Sequence, residues 1–409
     1  MKIAMMALLF VASGASAHVA ALGEFQTKPI LADLKDLRAL NIPVMAKDEG
    51  VEVGYAVVTP LMLQRIQERA HTVGKCGGFE DLSGDVMLQS HGFDHMLTEL
   101  AKIKEQNDLY ERAPFKALAL EKNAGIVAAL SEVSENNLRS YVQWLSSFPN
   151  RNNKDPQPNR HVTEMKMRLE AMLGNATIPY EISEITHSST KQNTLKVRLP
   201  GSARPNEIIV LGGHLDSINQ SWGGTKAAPG ADDNASGSAN LIEALRILME
   251  KPQPQRSIEF FWYAGEESGL LGSAEIAKQY KAENKDVVAV LQLDMTLLPG
   301  SGELVVGSMT DFTSSWMRDY LKALNETYLN AKIVDDKCGY GCSDHASWNR
   351  QGYPALMPFE ATFKASNKNI HTANDVITPE SNFKHSAVFT KIAVVLGMDL
   401  ANSSARQPY

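Results

Sequence analysis

Six residues spread over about 160 positions could together bind metal and move protons: His214 in GGHLDS, Asp233 in PGADDNASG, the adjacent Glu266 and Glu267 in AGEESG, Asp294 in LQLDM, and His371 in NIHT. Mixed imidazole and carboxylate ligation suits zinc, and cobalt or manganese would also bind such a set. Two cations about 3.5–4 Å apart make a nucleophile of water near neutral pH and clamp the displacement. Cations that close repel one another, a shared carboxylate offsets the repulsion, and Asp233 is the candidate bridge. Adjacent glutamates at a strand end cannot point the same way, so they divide the work. Glu267 is expected to ligate, while Glu266 acts as the base that takes a proton from water and returns it to the leaving amine. Asp216, two residues after His214, is placed to accept a hydrogen bond from the ring nitrogen that is not on metal, with a turn or helix cap as its alternative role.

Most of these residues follow an apolar, strand-like run, as in EIIVLGGH, SIEFFWYAGEE and VVAVLQLD. The carboxyl ends of strands are where open α/β sheets place their ligands, and the flanking glycines allow sharp turns there. Further strand-like runs are TLKVRLP, ELVVGS and PALMPF. Helical stretches separate most of them: ASGSANLIEALRILME, LLGSAEIAKQYKAE and DFTSSWMRDYLKALNETYL, with SAVFTKIAVVLGMDLA last. Upstream, SENNLRSYVQWLSSF has helical spacing, FPNRNNKDPQPNR reads as a basic loop, and HVTEMKMRLEAMLGN reads as a helix closed by Gly174. The alternation predicts an α/β domain with a largely parallel central sheet and helices on both faces.

The chain has 409 residues, 44% of them hydrophobic, enough for a large core without metal or disulfide staples. A net charge of -7 and no Lys/Arg-rich run argue against a nucleic-acid partner. Residues 1–17, MKIAMMALLFVASGASA, combine a lysine, a short apolar stretch and the small-residue pattern Ala15-Ser16-Ala17, which predicts a cleaved signal peptide and a secreted protein, extracellular or periplasmic. No later stretch is long and apolar enough to span a bilayer, and a monomer is expected. Residues 18–125 are charged, helix-favouring and without a catalytic cluster. They are expected to form a mainly helical propeptide that assists folding or masks the site, with a permanent accessory domain as the alternative. Cys338 and Cys342 in KCGYGCSDH suggest a small-loop disulfide, with half a zinc knuckle as the competing reading, whereas Cys76 has no evident partner.

In order, HLDS, PGADDNASG, EESGLLGS, LQLDM, CGYGCSDHASW and PFE…IHT closely resemble the secreted bacterial leucyl aminopeptidases, of the co-catalytic di-zinc exopeptidase family, from about residue 130 to 400. The resemblance implies a zinc exopeptidase-like fold over 126–409, two zinc ions, and peptide substrates cut at the first peptide bond. It implies one zinc on His214 and Asp294, the other on Glu267 and His371, Asp233 bridging, Glu266 as base, and a non-proline cis peptide between Asp232 and Asp233. It also implies a pocket for large apolar N-terminal side chains such as leucine, lined by Met295, Tyr340, Met357, Phe359, Phe363 and Ile370, with the Cys338 to Cys342 loop as part of the wall. The polar run Ser366 to Asn369 departs from the aromatic residue expected at the rim. Tyr340 could donate to the tetrahedral oxyanion or simply pack on the disulfide. A glutaminyl-cyclase-like acyltransferase needs one zinc and not both ligand sets, and a noncatalytic binding ectodomain would have lost ligands. A serine hydrolase on Ser343, Asp344 and His345 is disfavoured because neighbours in a short loop cannot aim at one another.

Overall fold

The computed structural model describes residues 27–48, 52–72, 75, 78–83, 120–174, 176–220 and 226–404. The expected signal segment 1–17 and Cys76 lie outside the described residues.

The central sheet has six strands: β5 (Glu181–Ile185), β6 (Thr194–Leu199), β7 (Arg204–His214), β8 (Arg256–Tyr263), β9 (Asp286–Gln292) and β12 (Ala355–Leu356). Their order is β12-β9-β7-β8-β6-β5. Pairing is parallel through β12, β9, β7 and β8 and antiparallel out to β6 and β5. The sheet is thus parallel where the expected ligands leave it. Alternation along each strand sorts side chains between two cores. Ile209 and Leu211 of β7 and Phe260 and Trp262 of β8 join the larger core, with the helices Glu135–Leu145, Ala235–Leu248 and Phe383–Asn402. Ile208, Val210, Phe261 and Tyr263 face the other way, onto Ile276 and Tyr280 of the helix Leu271–Ala282 and onto Trp348 of His345–Arg350. Both faces are therefore covered.

ELVVGS contributes no strand to this sheet. Its strand β10 (Val305–Met309) belongs to a separate three-stranded sheet with β11 (Lys332–Asp336) and β13 (Pro358–Phe359). PALMPF splits at Met357: Ala355 and Leu356 pair with β9, whereas Pro358 and Phe359 pair with β10. The helix Arg160–Leu173 ends at Gly174, but with φ of -58°, so the glycine does not make the left-handed turn that usually explains it there.

Among its described residues, the N-terminal unit contains a sheet that the sequence reading did not expect, beside two helices. Its described part is built on a four-stranded sheet, β2-β3-β1-β4, from β1 (Lys28–Asp33), β2 (Ala46–Asp48), β3 (Val53–Val58) and β4 (Phe79–Asp81), with helices Leu34–Ala39 and Pro60–Thr72. The alternating runs KPILAD and VGYAVV pair antiparallel and outweigh the charged composition around them. This unit docks on the catalytic body: Leu31, Tyr55 and Leu82 cluster with Leu270, Phe312 and Ala346. Asp81 N donates to Gly269 O at 3.2 Å, and Arg350 pairs with the buried Glu80. The helix Ala124–Ser131 spans the expected boundary, and Leu120 already packs on the main core.

Candidate metal centre

The centre is assembled at the carboxyl edge of β7, β8 and β9. His214 is the last residue of β7, Glu266 opens a short 3-10 turn after β8, and Asp294 lies two residues past β9. Gly265 takes φ of 65° to turn the chain into the glutamates, a conformation glycine reaches without penalty. Asp233 comes from the loop ahead of the helix Ala235–Leu248, whose N-cap Asn234 accepts from Gly237 N and donates to Leu293 O, both at 2.9 Å. That loop is locked by Arg151, which is fully buried and donates to the carbonyls of Leu145, Leu215, Pro229 and Gly230 at 2.6–2.9 Å. The run read as a basic loop therefore contains the main brace of the site. The non-proline cis bond is Asp233–Asn234, one residue later than the expected Asp232–Asp233.

Two groups of three converge, His214 with Asp233 and Asp294, and Asp233 with Glu267 and His371, all buried. His214 Nε2 is 3.1 Å from Asp233 Oδ1 and 3.3 Å from Asp294 Oδ1. His371 Nε2 is 3.0 Å from both Asp233 Oδ2 and Glu267 Oε2. Ligands about 2.0–2.1 Å from a tetrahedral zinc stand roughly 3.3 Å from each other, so these separations fit. Glu266 Oε2 and Glu267 Oε1 are buried with no hydrogen-bond partner, an expensive arrangement for carboxylates that lack a cation. Donor types, spacing and unsatisfied oxygens all suit divalent metal.

The protein groups alone set strong fields. Burial, reinforced by the carboxylates of Glu267, Asp344 and Asp294 and opposed by His214, holds the Glu266 carboxyl well above its usual range. Burial pushes Glu267 up to about 7, against the pull of His371. Burial would raise Asp233 too, but the imidazoles of His214 and His371 bring it well below the ordinary carboxylate range.

The surrounding contacts correct one expectation and add others. His214 Nδ1 lies 3.1 Å from the backbone carbonyl of Asp216, not within hydrogen-bond reach of its carboxylate, whose Oδ1 is 3.6 Å away. That carboxylate instead accepts from the backbone N–H groups of Glu266 at 3.0 Å and Glu267 at 3.3 Å. Ser343 donates to Asp294 Oδ2 at 2.6 Å, so the residue dismissed as a nucleophile orients a ligand. The side-chain amide of Gln220 lies 2.9 Å from His371 Nδ1. Asn367, from the polar run 366–369, is buried and donates to Asp232 Oδ2 at 3.1 Å. The run's polarity thus serves a brace behind the loop.

Met295, Tyr340, Met357, Phe359 and Ile370 form one buried cluster with Met309 and the Cys338–Cys342 disulfide, and Phe363 packs on its side. Met295 directly follows Asp294 and Ile370 directly precedes His371, so the cluster adjoins both ligand groups. Tyr340 and Phe363 meet edge to face at 6.4 Å. The N-terminal unit lies over this wall. Lys75, held by Asp33 and Asp36, places its ammonium 5.4 Å from the centre of the Tyr340 ring.

An α/β sheet with a dense acidic and imidazole cluster at its carboxyl edge defines a metallohydrolase of the zinc exopeptidase type. Residues 194–395 match the pattern of peptidase family M28. A probable leucine aminopeptidase of Arthroderma otae is 37% identical over 67% of this chain and 76% of its own length. Leucine aminopeptidase 1 of Pyrenophora tritici-repentis is 35% identical over 68% of this chain and 74% of its own. The crystal structure of the LapA aminopeptidase of Legionella pneumophila superposes with a TM-score of 0.74 at 25% identity, covering 92% of this chain and 99% of that one. The chain belongs to peptidase family M28, as a zinc-dependent aminopeptidase.

Proposed function

We propose that the chain is an exported aminopeptidase that uses two zinc ions to release large apolar N-terminal residues, leucine foremost. The observation that carries this is the pair of three-residue groups sharing Asp233. His214 and Asp294 would hold one ion, Glu267 and His371 the other, with Asp233 common to both. When bound, the ions supply Lewis-acid polarisation of the scissile carbonyl and a water ionised near neutral pH.

Glu266 is left over from both ligand groups and buried beside them. It takes up the proton of the attacking water and returns it to the departing amine. Met295, Met357, Phe359 and Ile370 form a buried apolar cluster next to the ligands, which we read as the wall of the recess that takes a leucine-sized side chain. A cyclase working with one ion would leave one of the ligand sets without purpose. Residues 1–17 are read as a signal peptide and the unit up to about residue 125 as a propeptide masking the recess. Among the described residues, no helix is long and apolar enough to cross a membrane.

The test is an assay of the purified processed protein on a panel of aminoacyl anilides, with metal analysis, before and after a chelator. Leucine and methionine anilides should lead, activity should vanish with chelator and return with zinc, and metal should approach two ions per chain. Activity indifferent to chelator, or preference for charged residues, overturns the proposal.

A further inference from the structure

We infer that Asp375 is a positioning residue, one that fixes the shared carboxylate of Asp233 by gripping its backbone; the inference rests on the two-ion reading above. Asp375 is 1% exposed and lies four residues past His371. Its Oδ1 accepts from Asp232 N and its Oδ2 from Asp233 N, both at 3.0 Å, while its own carbonyl accepts from Ala231 N at 3.0 Å. Three consecutive peptide groups leading into the ligand are thus tied to one residue. Two bonds from successive N–H groups to the two oxygens of one side chain set the orientation of the peptide as well as its place, because they hold it at two points.

The same device occurs a second time. Asp216, two residues past His214, binds the N–H groups of Glu266 and Glu267 with its two oxygens. Each imidazole segment is followed by an aspartate that holds two successive amides of a segment bringing in a carboxylate. His214 and Glu267 belong to different three-residue groups, and Asp375 joins the His371 segment to the residue common to both groups. The ligand loops are therefore cross-linked through backbone, independently of any ion. Asn367 strengthens the Asp375 end, its side-chain amide lying 3.1 Å from Asp232 Oδ2 and 3.4 Å from Asp375 Oδ1.

Because Asp233 is common to both groups, loosening its peptide should weaken both ions together. Outer contacts of this kind change metal affinity by roughly 10–100-fold. The experiment is calorimetric zinc titration of the chelator-stripped full chain, wild type against Asp375→Asn and Asp375→Ala, each well below its own unfolding temperature. Asparagine keeps one accepting oxygen and the shape, so it stays informative if alanine fails to fold. The expected result is two ions on the wild type and both dissociation constants raised about 10–100-fold in the variants. In the cobalt-loaded form, the spin coupling between the ions should also change, which a residue serving only stability would not cause. Unchanged zinc affinity, or loss at one site alone, overturns the inference while leaving the two-ion reading standing. A wild type that binds a single ion removes both.

Discussion

Glu266 and Glu267 are neighbours in sequence and share burial, yet only Glu267 has an imidazole within ligand distance, His371 at 3.0 Å. On the two-ion proposal, this asymmetry assigns Glu267 to metal and Glu266 to the proton. Replacing Glu266 by Gln keeps volume and one acceptor while removing the ability to shuttle a proton, so turnover should fall by roughly 10²–10⁴. Zinc content and unfolding temperature should stay near those of the wild type, measured by elemental analysis and calorimetry. A variant short of metal would show that Glu266 ligates after all. The six candidate residues were legible because His214, Asp233, Glu266 and Glu267 lie in glycine-flanked motifs, Asp294 ends an apolar run, and His371 lies in the NIHT segment. Asp375, Ser343 and Arg151 were not, because their work is to hold carbonyls, amides or a ligand oxygen. A single charged or hydroxyl residue in a loop looks the same in sequence whether it does that or faces water. The serine in CGYGCSDH offered a signal, since it stands inside a motif that carried the resemblance, but its geometry toward Asp294 appears only in the fold.

At the level of elements, the helix Arg160–Leu173 matters to the centre through an indirect route. His161, in its first turn, is buried and its Nε2 lies 2.8 Å from Gln192 Nε2. The Gln192 carbonyl oxygen accepts from Gly265 N at 3.0 Å, which fixes the amide with its NH2 toward the ring and makes His161 Nε2 the acceptor. The imidazole is therefore neutral in the fold, and burial, with Arg151 nearby, brings its pKa down to about 3. In the unfolded chain it titrates at about 6.5. Between these values the unfolded state binds a proton that the folded state refuses, so stability falls as pH drops below about 6.5, by about 1.4 kcal/mol per unit. At pH 5 the loss from this residue is about 2 kcal/mol. His161→Gln, which retains an acceptor without a titrating group, should lose less unfolding temperature than the wild type between pH 7 and pH 5. Equal losses would mean that His161 charges freely in the fold. The strands β6 to β9 were legible from their apolar runs. β5 and β11 escaped because EISEI and KIVDD are half exposed and rich in charge. The β-sheet of the N-terminal unit escaped because its two short alternating runs are set in a long charged stretch.

On the scale of the whole molecule, the question is what the N-terminal unit does to a site it touches from outside. Tyr340 is 1% exposed, although it belongs to the wall of the expected substrate recess. Its covering includes Lys75, whose ammonium is fixed between Asp33 and Asp36 and lies over the ring. Around it, Lys337 pairs with Glu52 at 3.0 Å, Arg350 with Glu80, and Asp81 N donates to Gly269 O beside the glutamate turn. The apolar part of the contact is the cluster of Leu31, Tyr55 and Leu82 with Leu270, Phe312 and Ala346, and exposed ion pairs such as Lys337 with Glu52 add little, up to about 1 kcal/mol. On the propeptide proposal, the contact holds while both partners are on one chain, where effective concentration is high, and loosens once the connection is cut. Cleavage within residues 84–119 followed by dilution should therefore raise kcat/KM on leucine anilide, and the same cleavage at high concentration should raise it less. Lys75→Ala in the uncut chain should move in the same direction by a smaller factor, since it removes the cation above Tyr340 but leaves the remaining contacts. If the cut and diluted enzyme is no faster than the intact chain, the unit is a permanent part of the architecture, and substrate reaches the metal centre by a path that does not pass Tyr340.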